Sequence, residues 1–337
     1  MRGTALVGLT VLAVATSASP QAVRTHDLPL KVENVRWGYF DARVAPAIRI
    51  AAGDRLRVET MIAGGLQRLR MTGVQESEIP ESMKSIELAV TDRLGAHPLT
   101  GPIYIEGAEP GDVLEVRILD ISFLHSYGIV AFRPGGGTLP GEFPYAYTSL
   151  MRWNMGDAEV RFAPNVTLRF APFFGTIGVA PPILNGRISS TAPGWHGGNL
   201  DNKDLVAGTT LYLPVHTAGA LLSIGDGHAM QGDGEVSGTA LETSLRGTFE
   251  VRLLKGRRWR WPRAESPTHY FTMGLDEDLD EAARMAVREM IDFLVTEKGL
   301  TRDQAYVLSS LSVDLRITQL VDLTKGVHAA LPKAVIR

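Results

Sequence analysis

The sequence predicts a β-rich α+β protein, with antiparallel β-sandwich-like sheets and a smaller C-terminal α/β portion. Many short segments alternate apolar and polar residues, and Gly-Asp or Pro-Gly turns separate them. After residue 266 the apolar spacing changes to that of amphipathic helices. We therefore expect a leader over residues 1–22, a β-rich main region over 23–265, and a helix-containing portion over 266–337 that packs on it.

The N-terminus has the pattern of a secretory signal peptide. Arg2 precedes an apolar run over residues 5–15, and small residues follow, so we expect cleavage near Ala18 or Ala22. The run is too short to be a stable membrane anchor. The mature protein is therefore expected to be exported, periplasmic or secreted, without membrane insertion. The chain has no cysteine, which excludes disulfides and thiol chemistry.

Strand-like alternation recurs through the main region, with two longer breaks. We expect loops over residues 61–85 and 123–150, because both segments lack a clear period and contain Gly and Pro. The predicted strand segments are residues 47–50, 55–60, 103–106, 113–118, 158–170, 211–215, 220–224 and 239–254.

Two helices are predicted in the C-terminal portion. The first covers residues 278–297, where Asp278 and Glu281 have capping-box spacing and Gly299 follows the end. The second opens at Thr301. Residues 313–321 are expected to form a closing strand, followed by a tail that contains Pro332.

The charge balance gives no sign of nucleic-acid binding. The formal net charge is -3 over 337 residues. A basic run with interleaved tryptophans occupies residues 255–261, but its strand-like flanks favour a solvated edge or hairpin. We therefore expect a small-molecule partner and no nucleic acid.

Residues 225–235 (GDGHAMQGDGE) are the most unusual stretch. In extended backbone Asp226 and His228 project from one face, as do Asp233 and Glu235. This pattern indicates a bent segment that carries metal ligands or general acids and bases. The same Gly-Asp pairs also occur in plain hairpin turns, so spacing alone leaves both interpretations open.

The usual hydrolase nucleophiles are missing from the sequence. It contains no cysteine, no Gly-x-Ser-x-Gly elbow and no His-Glu-x-x-His motif. With these mechanisms excluded, we expect hydrolysis by carboxylates and imidazoles, with a metal ion that activates water. Besides His228, we single out His196 in a Gly-rich loop and His97 before Pro98.

Several separated motifs resemble the acetamidase/formamidase family, in the family's order and over residues 35–333. They are residues 37–41 (WGYFD), 101–112 (GPIYIEGAEPGD), 196–201 (HGGNLD), 213–215 (LPV), 225–235 and 305–309 (AYVLS). The resemblance implies hydrolysis of short aliphatic amides, formamide or acetamide, to the carboxylate and ammonia. It also implies a β-rich fold, homo-oligomers and, in some members, a divalent metal such as zinc. The export signal departs from the mostly cytoplasmic members.

Chemistry at these matching motifs yields a hypothesis for the site. The metal ligands would be His228, Asp226, Asp201 and His196, with Zn²⁺ as the preferred ion and Ca²⁺ as the alternative. Glu235 would be the general base, with Glu106 as a second candidate. The residues expected to position the amide are Asn199, Gln231 and His97.

Two other functions stay open at this point. One is an exported metal- or carbohydrate-binding β-sandwich without catalysis, in which the acidic loop holds Ca²⁺; His228 does not suit that ion. The other keeps the hydrolase and gives it a larger or cyclic amide, because the segments over 61–85 and 123–150 would shape a wider pocket.

Overall fold

The computed structural model describes residues 23–336, so the predicted signal peptide lies outside the described residues. Four α-helices are present in this part: α1 (Leu66–Met71), α2 (Glu81–Ala89), α3 (Leu279–Thr296) and α4 (Arg302–Ser312). The strands are β1 (Thr25–Leu28), β2 (Val35–Trp37), β3 (Tyr39–Phe40), β4 (Ile48–Ala51), β5 (Arg55–Glu59), β6 (Pro98–Glu106), β7 (Val113–Phe123), β8 (Tyr127–Phe132), β9 (Tyr147–Arg152), β10 (Glu159–Ala163), β11 (Val166–Arg169), β12 (Phe173–Gly178), β13 (Ile188–Ser189), β14 (Gly197–Asn199), β15 (Thr210–Pro214), β16 (Leu222–His228), β17 (Glu242–Thr243), β18 (Leu245–Leu254), β19 (Arg263–Glu265), β20 (His269–Asp276), β21 (Asp314–Gln319) and β22 (Lys325–Pro332).

Two nine-stranded sheets form the body of the protein. The first has the order β1-β5-β18-β7-β15-β19-β20-β22-β21 and is antiparallel except for the β1–β5 pair. The second has the order β14-β12-β16-β17-β8-β9, and β6 joins it by pairing with β16, β2 and β4. Only the β4–β6 pair of the second sheet is parallel among the described strands. Two small ladders, β10–β11 and β3–β13, complete the pairing.

The two sheets pack face to face around one large apolar core. Alternate residues of each strand enter it, for example Val116 and Ile118 of β7 and Leu222 and Ile224 of β16. Phe174 of β12 and Phe249 of β18 meet across the interface, with ring centroids 5.5 Å apart. The predicted β-rich, sandwich-like architecture is confirmed.

The predicted C-terminal helices form and cover the first sheet. Asp278 caps α3, since its Oδ1 accepts a hydrogen bond from Glu281 N at 3.0 Å. Gly274 of β20 allows close packing, because a Cβ there would lie 2.6 Å from Ala286 N. None of the helices within residues 23–336 has the length and apolarity needed to cross a lipid bilayer.

The chain after α4 differs from the prediction. The closing strand is present as β21, but the predicted tail is the strand β22, which pairs with both β20 and β21. Pro332 is the last residue of β22, where a missing N–H costs little. The predicted boundary at residue 265 falls between β19 and β20, which pair with each other. The helix-containing portion is thus continuous with the first sheet.

Both predicted loops were wrong in part. Residues 61–85 include α1 and the start of α2, whose Leu66, Leu69, Met83 and Ile86 are buried. These helices are too short for a clear 3.6-residue period. Residues 123–150 include β8 and most of β9, so only the short connection 124–126 and the longer loop 133–146 remain outside the strands.

Candidate functional site

The site is built on β16, an inner strand of the second sheet. Asp226 and His228 project from one face, as their spacing predicts, and His228 Nε2 lies 3.3 Å from Asp226 Oδ1. The glycines on either side of Asp226 are required by the neighbouring strands. A Cβ on Gly225 would lie 2.6 Å from Pro98 O, and one on Gly227 would lie 2.7 Å from Thr243 O.

Four buried carboxylates and the half-buried Asp322 gather around His228. They come from separate parts of the chain: Asp201 follows β14, Asp226 lies in β16, Glu235 in the next loop, Glu242 in β17, and Asp322 between β21 and β22. Their ligand atoms form three overlapping groups, each with all atoms within 4.8 Å of one another. The groups are Asp201–Asp226–His228, His228–Glu235–Glu242 and Asp201–Glu235–Asp322.

Tight backbone geometry brings these side chains together. Asp201, Asp226 and Glu235 all have positive φ, at 45°, 60° and 45°. Such left-handed conformations strain non-glycine residues and are typical of functional sites. Gly175 of β12 leaves the space that the side chains use. A Cβ there would overlap Asp201 Oδ1 and would lie 2.5 Å from Asp226 Oδ2.

The crowding shifts the pKa values of the cluster in both directions. Burial, reinforced by Glu235, raises the pKa of Asp201 well above its ordinary value. Burial and the nearby Asp322 likewise raise the pKa of Glu235, and burial raises that of Asp322 to about 6. These carboxyl groups therefore bind protons more readily than ordinary surface carboxyls do.

At the centre of the cluster, Asp226 and His228 differ from these carboxyls, because charged neighbours outweigh the effect of burial on their pKa values. Burial alone would raise the pKa of Asp226, but His97 and His228 outweigh it and keep that pKa below its ordinary value. Burial alone would lower the pKa of His228, but Glu242 and Asp226 raise it well above the usual range. The acidic neighbours thus favour positive charge beside them.

Gln231 fixes the orientation of the His228 ring. Its Nε2 donates to Asp201 O at 2.9 Å, so its Oε1 faces the ring and accepts from His228 Nδ1–H at 3.1 Å. This contact assigns the proton to Nδ1 and leaves the Nε2 lone pair for a ligand when the ring is neutral.

Polar groups that suit an amide lie beside the cluster. Asn199 Oδ1 accepts from Thr176 Oγ1 at 2.6 Å, which directs its amide group. His97 Nδ1 lies 3.0 Å from Ser190 Oγ, and its Nε2 lies 3.9 Å from Asp226 Oδ2. Asn199 and His97 both line a cavity of about 700 Å³ above the cluster. Asp201, Asp226 and Glu235 line the same cavity, so the cluster can be reached by a small molecule.

Three residues of the predicted site lie elsewhere or act differently. Glu106 is 53% exposed, pairs with Arg49 at 3.2 Å and does not join the cluster. His196 is buried against Phe40 and Trp195, and burial, with His216 nearby, lowers its pKa to about 4. It belongs to none of the three ligand groups. Gln231 uses its amide on His228 and Asp201 and not on the wall of the large cavity.

Two residues of the cluster were missed from the sequence. Glu242 stands opposite His228 in the β16–β17 ladder and is 4% exposed. In the sequence, Glu242 is a single acidic residue between apolar and small residues, which is too common a pattern to indicate a site. Asp322 follows the predicted closing strand, in a segment with no motif. Backbone hydrogen bonds bring Asp322 to the cluster, since Gly234 N donates to Thr318 O and Gly234 O accepts from Leu320 N, both at 3.1 Å.

The donor set fits a divalent cation. Asp201 Oδ1 and Glu242 Oε2 are buried and find no hydrogen-bond partner within the described part of the chain. Carboxylates with one imidazole are a ligand set used by Zn²⁺ and, without the imidazole, by Ca²⁺. Buried carboxylates in this number are stabilised by protonation or by a compensating positive charge, and a divalent cation would supply the latter.

Comparisons with known proteins agree with the motifs. The sequence profile of the Acetamidase/Formamidase family matches residues 30–185 and 184–337. A crystal structure of an acetamidase from Bacillus halodurans is 33% identical with a TM-score of 0.78, and the alignment covers 92% of this chain and 98% of that one. The formamidase of Methylophilus methylotrophus is 26% identical, over 81% of this chain and 82% of its own.

One relative is matched over a shorter part of its length. The chain spans 61% of a Schizosaccharomyces pombe relative that is 29% identical to it. The family match nevertheless covers nearly the whole sequence, including every strand and loop that supplies a carboxylate to the cluster. The chain belongs to the acetamidase/formamidase family, as its motifs predict.

Proposed function

We propose that the protein hydrolyses the C–N bond of small carboxamides, with formamide and acetamide as the simplest substrates, and releases a carboxylate and ammonia. Family membership supports the reaction class. The observation that carries the proposal is the cluster of five carboxylates around His228, four of them buried, at the wall of an open cavity. Amide hydrolysis needs activated water and proton transfer, and this cluster has the groups for both.

The proposed cofactor is a divalent cation, Zn²⁺ in preference to Ca²⁺. Asp201, Asp226 and His228 would hold it, because their ligand atoms converge beside Gly175. When bound, such an ion supplies Lewis-acid chemistry and lowers the pKa of a water molecule from 15.7 to about 7. Gln231 would keep His228 Nε2 turned toward the ligand position.

Glu235 is the proposed general base. It lines the cavity and belongs to the two ligand groups that flank the Asp201–Asp226–His228 group. There it would take a proton from the attacking water as the C–O bond forms. It would return the proton to the nitrogen as the C–N bond breaks, so that ammonia leaves.

Asn199 and His97 are the proposed positioning residues. Asn199 is held by Thr176, and His97 by Ser190, so both present fixed polar atoms to the cavity. Such groups orient a primary amide by hydrogen bonds to its oxygen and nitrogen. We also propose export of the mature protein, from its N-terminal sequence, and a homo-oligomer, from the family resemblance.

The test is ammonia release by the purified mature protein from formamide, acetamide and propionamide, with and without chelator and added Zn²⁺. We expect activity that chelation removes and Zn²⁺ restores. Glu235→Gln should keep the fold and lose most turnover, whereas Glu106→Gln, on the exposed end of β6, should stay active. A bound, stoichiometric ion without hydrolysis of any amide would overturn the proposal and indicate a binding protein.

A further inference from the structure

The cavity above the cluster is much larger than the simplest amides require. Its volume is about 700 Å³. Acetamide has four non-hydrogen atoms and would fill roughly 120 Å³, at about 30 Å³ for each water-sized group. A cavity of this size is typical of a ligand with a longer chain.

The wall beyond the cluster contains exposed apolar side chains. Met71 at the end of α1 and Leu323 beside Asp322 are 73% and 72% exposed, and both line the cavity. Phe132, the last residue of β8, also lines it. Large apolar side chains left in contact with solvent around one cavity indicate a binding surface. They suit the methylene groups of a substrate chain.

Two arginines line the same cavity without a carboxylate partner. Arg68 of α1 is half-buried against Gly64, and Arg133 follows β8. Within residues 23–336, no carboxylate oxygen lies within 4.0 Å of either guanidinium. Arg70, on the same helix, by contrast pairs with Glu76. The cavity thus combines an acidic cluster with two cations that the cluster does not neutralise.

Guanidinium groups recognise carboxylates through paired, charge-assisted hydrogen bonds. We infer that the natural substrate is a primary amide whose short apolar chain ends in a carboxylate, that is, a monoamide of a dicarboxylic acid. The amide lies at the Asp226–His228 end and the carboxylate at Arg68 and Arg133. Water adds to the amide carbon, the C–N bond breaks, and the products are the dicarboxylate and ammonium.

This inference rests on the proposed amide hydrolysis, and one experiment separates the two. Ammonia release is measured for malonamate, succinamate, glutaramate and adipamate, each beside the neutral primary amide of the same chain length. We expect kcat/KM to favour at least one anionic amide by about tenfold or more, as one charge-assisted contact provides. Added salt should reduce that preference, because it screens the arginine charges.

Three variants of the cavity wall and one control sharpen the test. Arg68→Gln and Arg133→Gln should raise KM for the preferred anionic amide about tenfold and leave acetamide hydrolysis unchanged. Arg68→Lys should recover part of the loss, since it keeps the charge without the guanidinium fork. Arg70→Gln is the matched control, because that arginine faces Glu76, and it should behave as the wild type.

The outcomes are distinct. Acetamide hydrolysis without preference for any anionic amide, unchanged by either arginine variant, would overturn the inference and leave the proposed function standing. Absence of ammonia from every amide would overturn the proposed function. In that case calorimetric titration with glutarate decides the anion site: binding that Arg68→Gln weakens supports it, and no binding refutes it.

Discussion

His228 and Glu242 stand opposite each other in the β16–β17 ladder, and His228 Nε2 lies 3.3 Å from Glu242 Oε2. That oxygen is buried and accepts no hydrogen bond from the described residues. Glu242 therefore supplies negative charge at the atom of His228 that would bind a cation.

We predict that Glu242→Gln lowers the affinity for a divalent cation about 10- to 100-fold, because it removes this charge without changing the side-chain volume. Competition with a chromophoric chelator measures the affinity. Glu106→Gln is the control, since Glu106 pairs with Arg49 at the surface. Equal affinities of wild type and Glu242→Gln would show that Glu242 plays no part in the cation site.

The Gln231 bridge gives a second prediction. Gln231→Leu removes the acceptor of His228 Nδ1–H and the donor to Asp201 O, so the imidazole is free to turn. Cation affinity should fall about tenfold, and turnover at saturating cation should stay near the wild-type value. If turnover stays low at saturating cation, Gln231 contacts the substrate, as the sequence predicted.

A third prediction concerns Gly175. Gly175→Ala should abolish cation binding, because the added methyl group would overlap the carboxylates of Asp201 and Asp226. Overpacking of this kind also destabilises a fold by about 1–3 kcal/mol. Bound metal per chain and the thermal midpoint are measured together. Gly141→Ala, where a Cβ would meet nothing within 4 Å, is the control. Full metal occupancy in Gly175→Ala would contradict the ligand positions.

The turn before β7 makes stability depend on pH. Burial alone would raise the pKa of Asp112, but the Lys255 ammonium and two backbone N–H donors, Gly256 N at 3.0 Å and Glu109 N at 2.9 Å, hold it below the ordinary value. A carboxyl with a lowered folded-state pKa contributes stability above its unfolded pKa of about 4. That contribution is lost as the pH falls through the folded-state pKa.

Asp112→Asn should therefore destabilise the protein at pH 7 by about 1.5–3 kcal/mol, the usual worth of hydrogen bonds to a charged group. The difference from the wild type should begin to shrink as the pH drops below about 4, where the unfolded chain takes up the proton, and should be smallest below the folded-state pKa, where the folded carboxyl is protonated as well. Urea unfolding at a series of pH values measures both. Asp120→Asn, at an exposed position of β7, is the control. A difference that does not change with pH would contradict the ionic contribution.

The alternating segments were enough to predict most of the sandwich, because strand burial in a half-covered sheet repeats every two residues. The helices α3 and α4 were equally clear, since each has a long apolar stripe and a capping residue. The short helices α1 and α2 were missed because each presents only one or two buried turns. The strand β22 was missed because Pro332 suggested a tail.

The site was predictable only where its residues are neighbours in sequence. Asp226, His228 and Glu235 share one Gly-rich stretch, and Asp201 lies in another. Glu242 and Asp322 join them only through strand pairing between distant segments, which no local spacing records. Conversely, Glu106 and His196 had suitable chemistry in suitable motifs, but strand ends and core packing place them away from the cluster.

The link between residue 234 and residues 318–320 ties the cluster to the last strands of the chain. Asp322 lies in the connection between those strands, far along the chain from Asp201 and Asp226. A chain cut before β21 would keep His228 and Asp226 but would have an incomplete centre. The cluster is therefore completed only when the last described strands have paired and reached the Gly-rich loop.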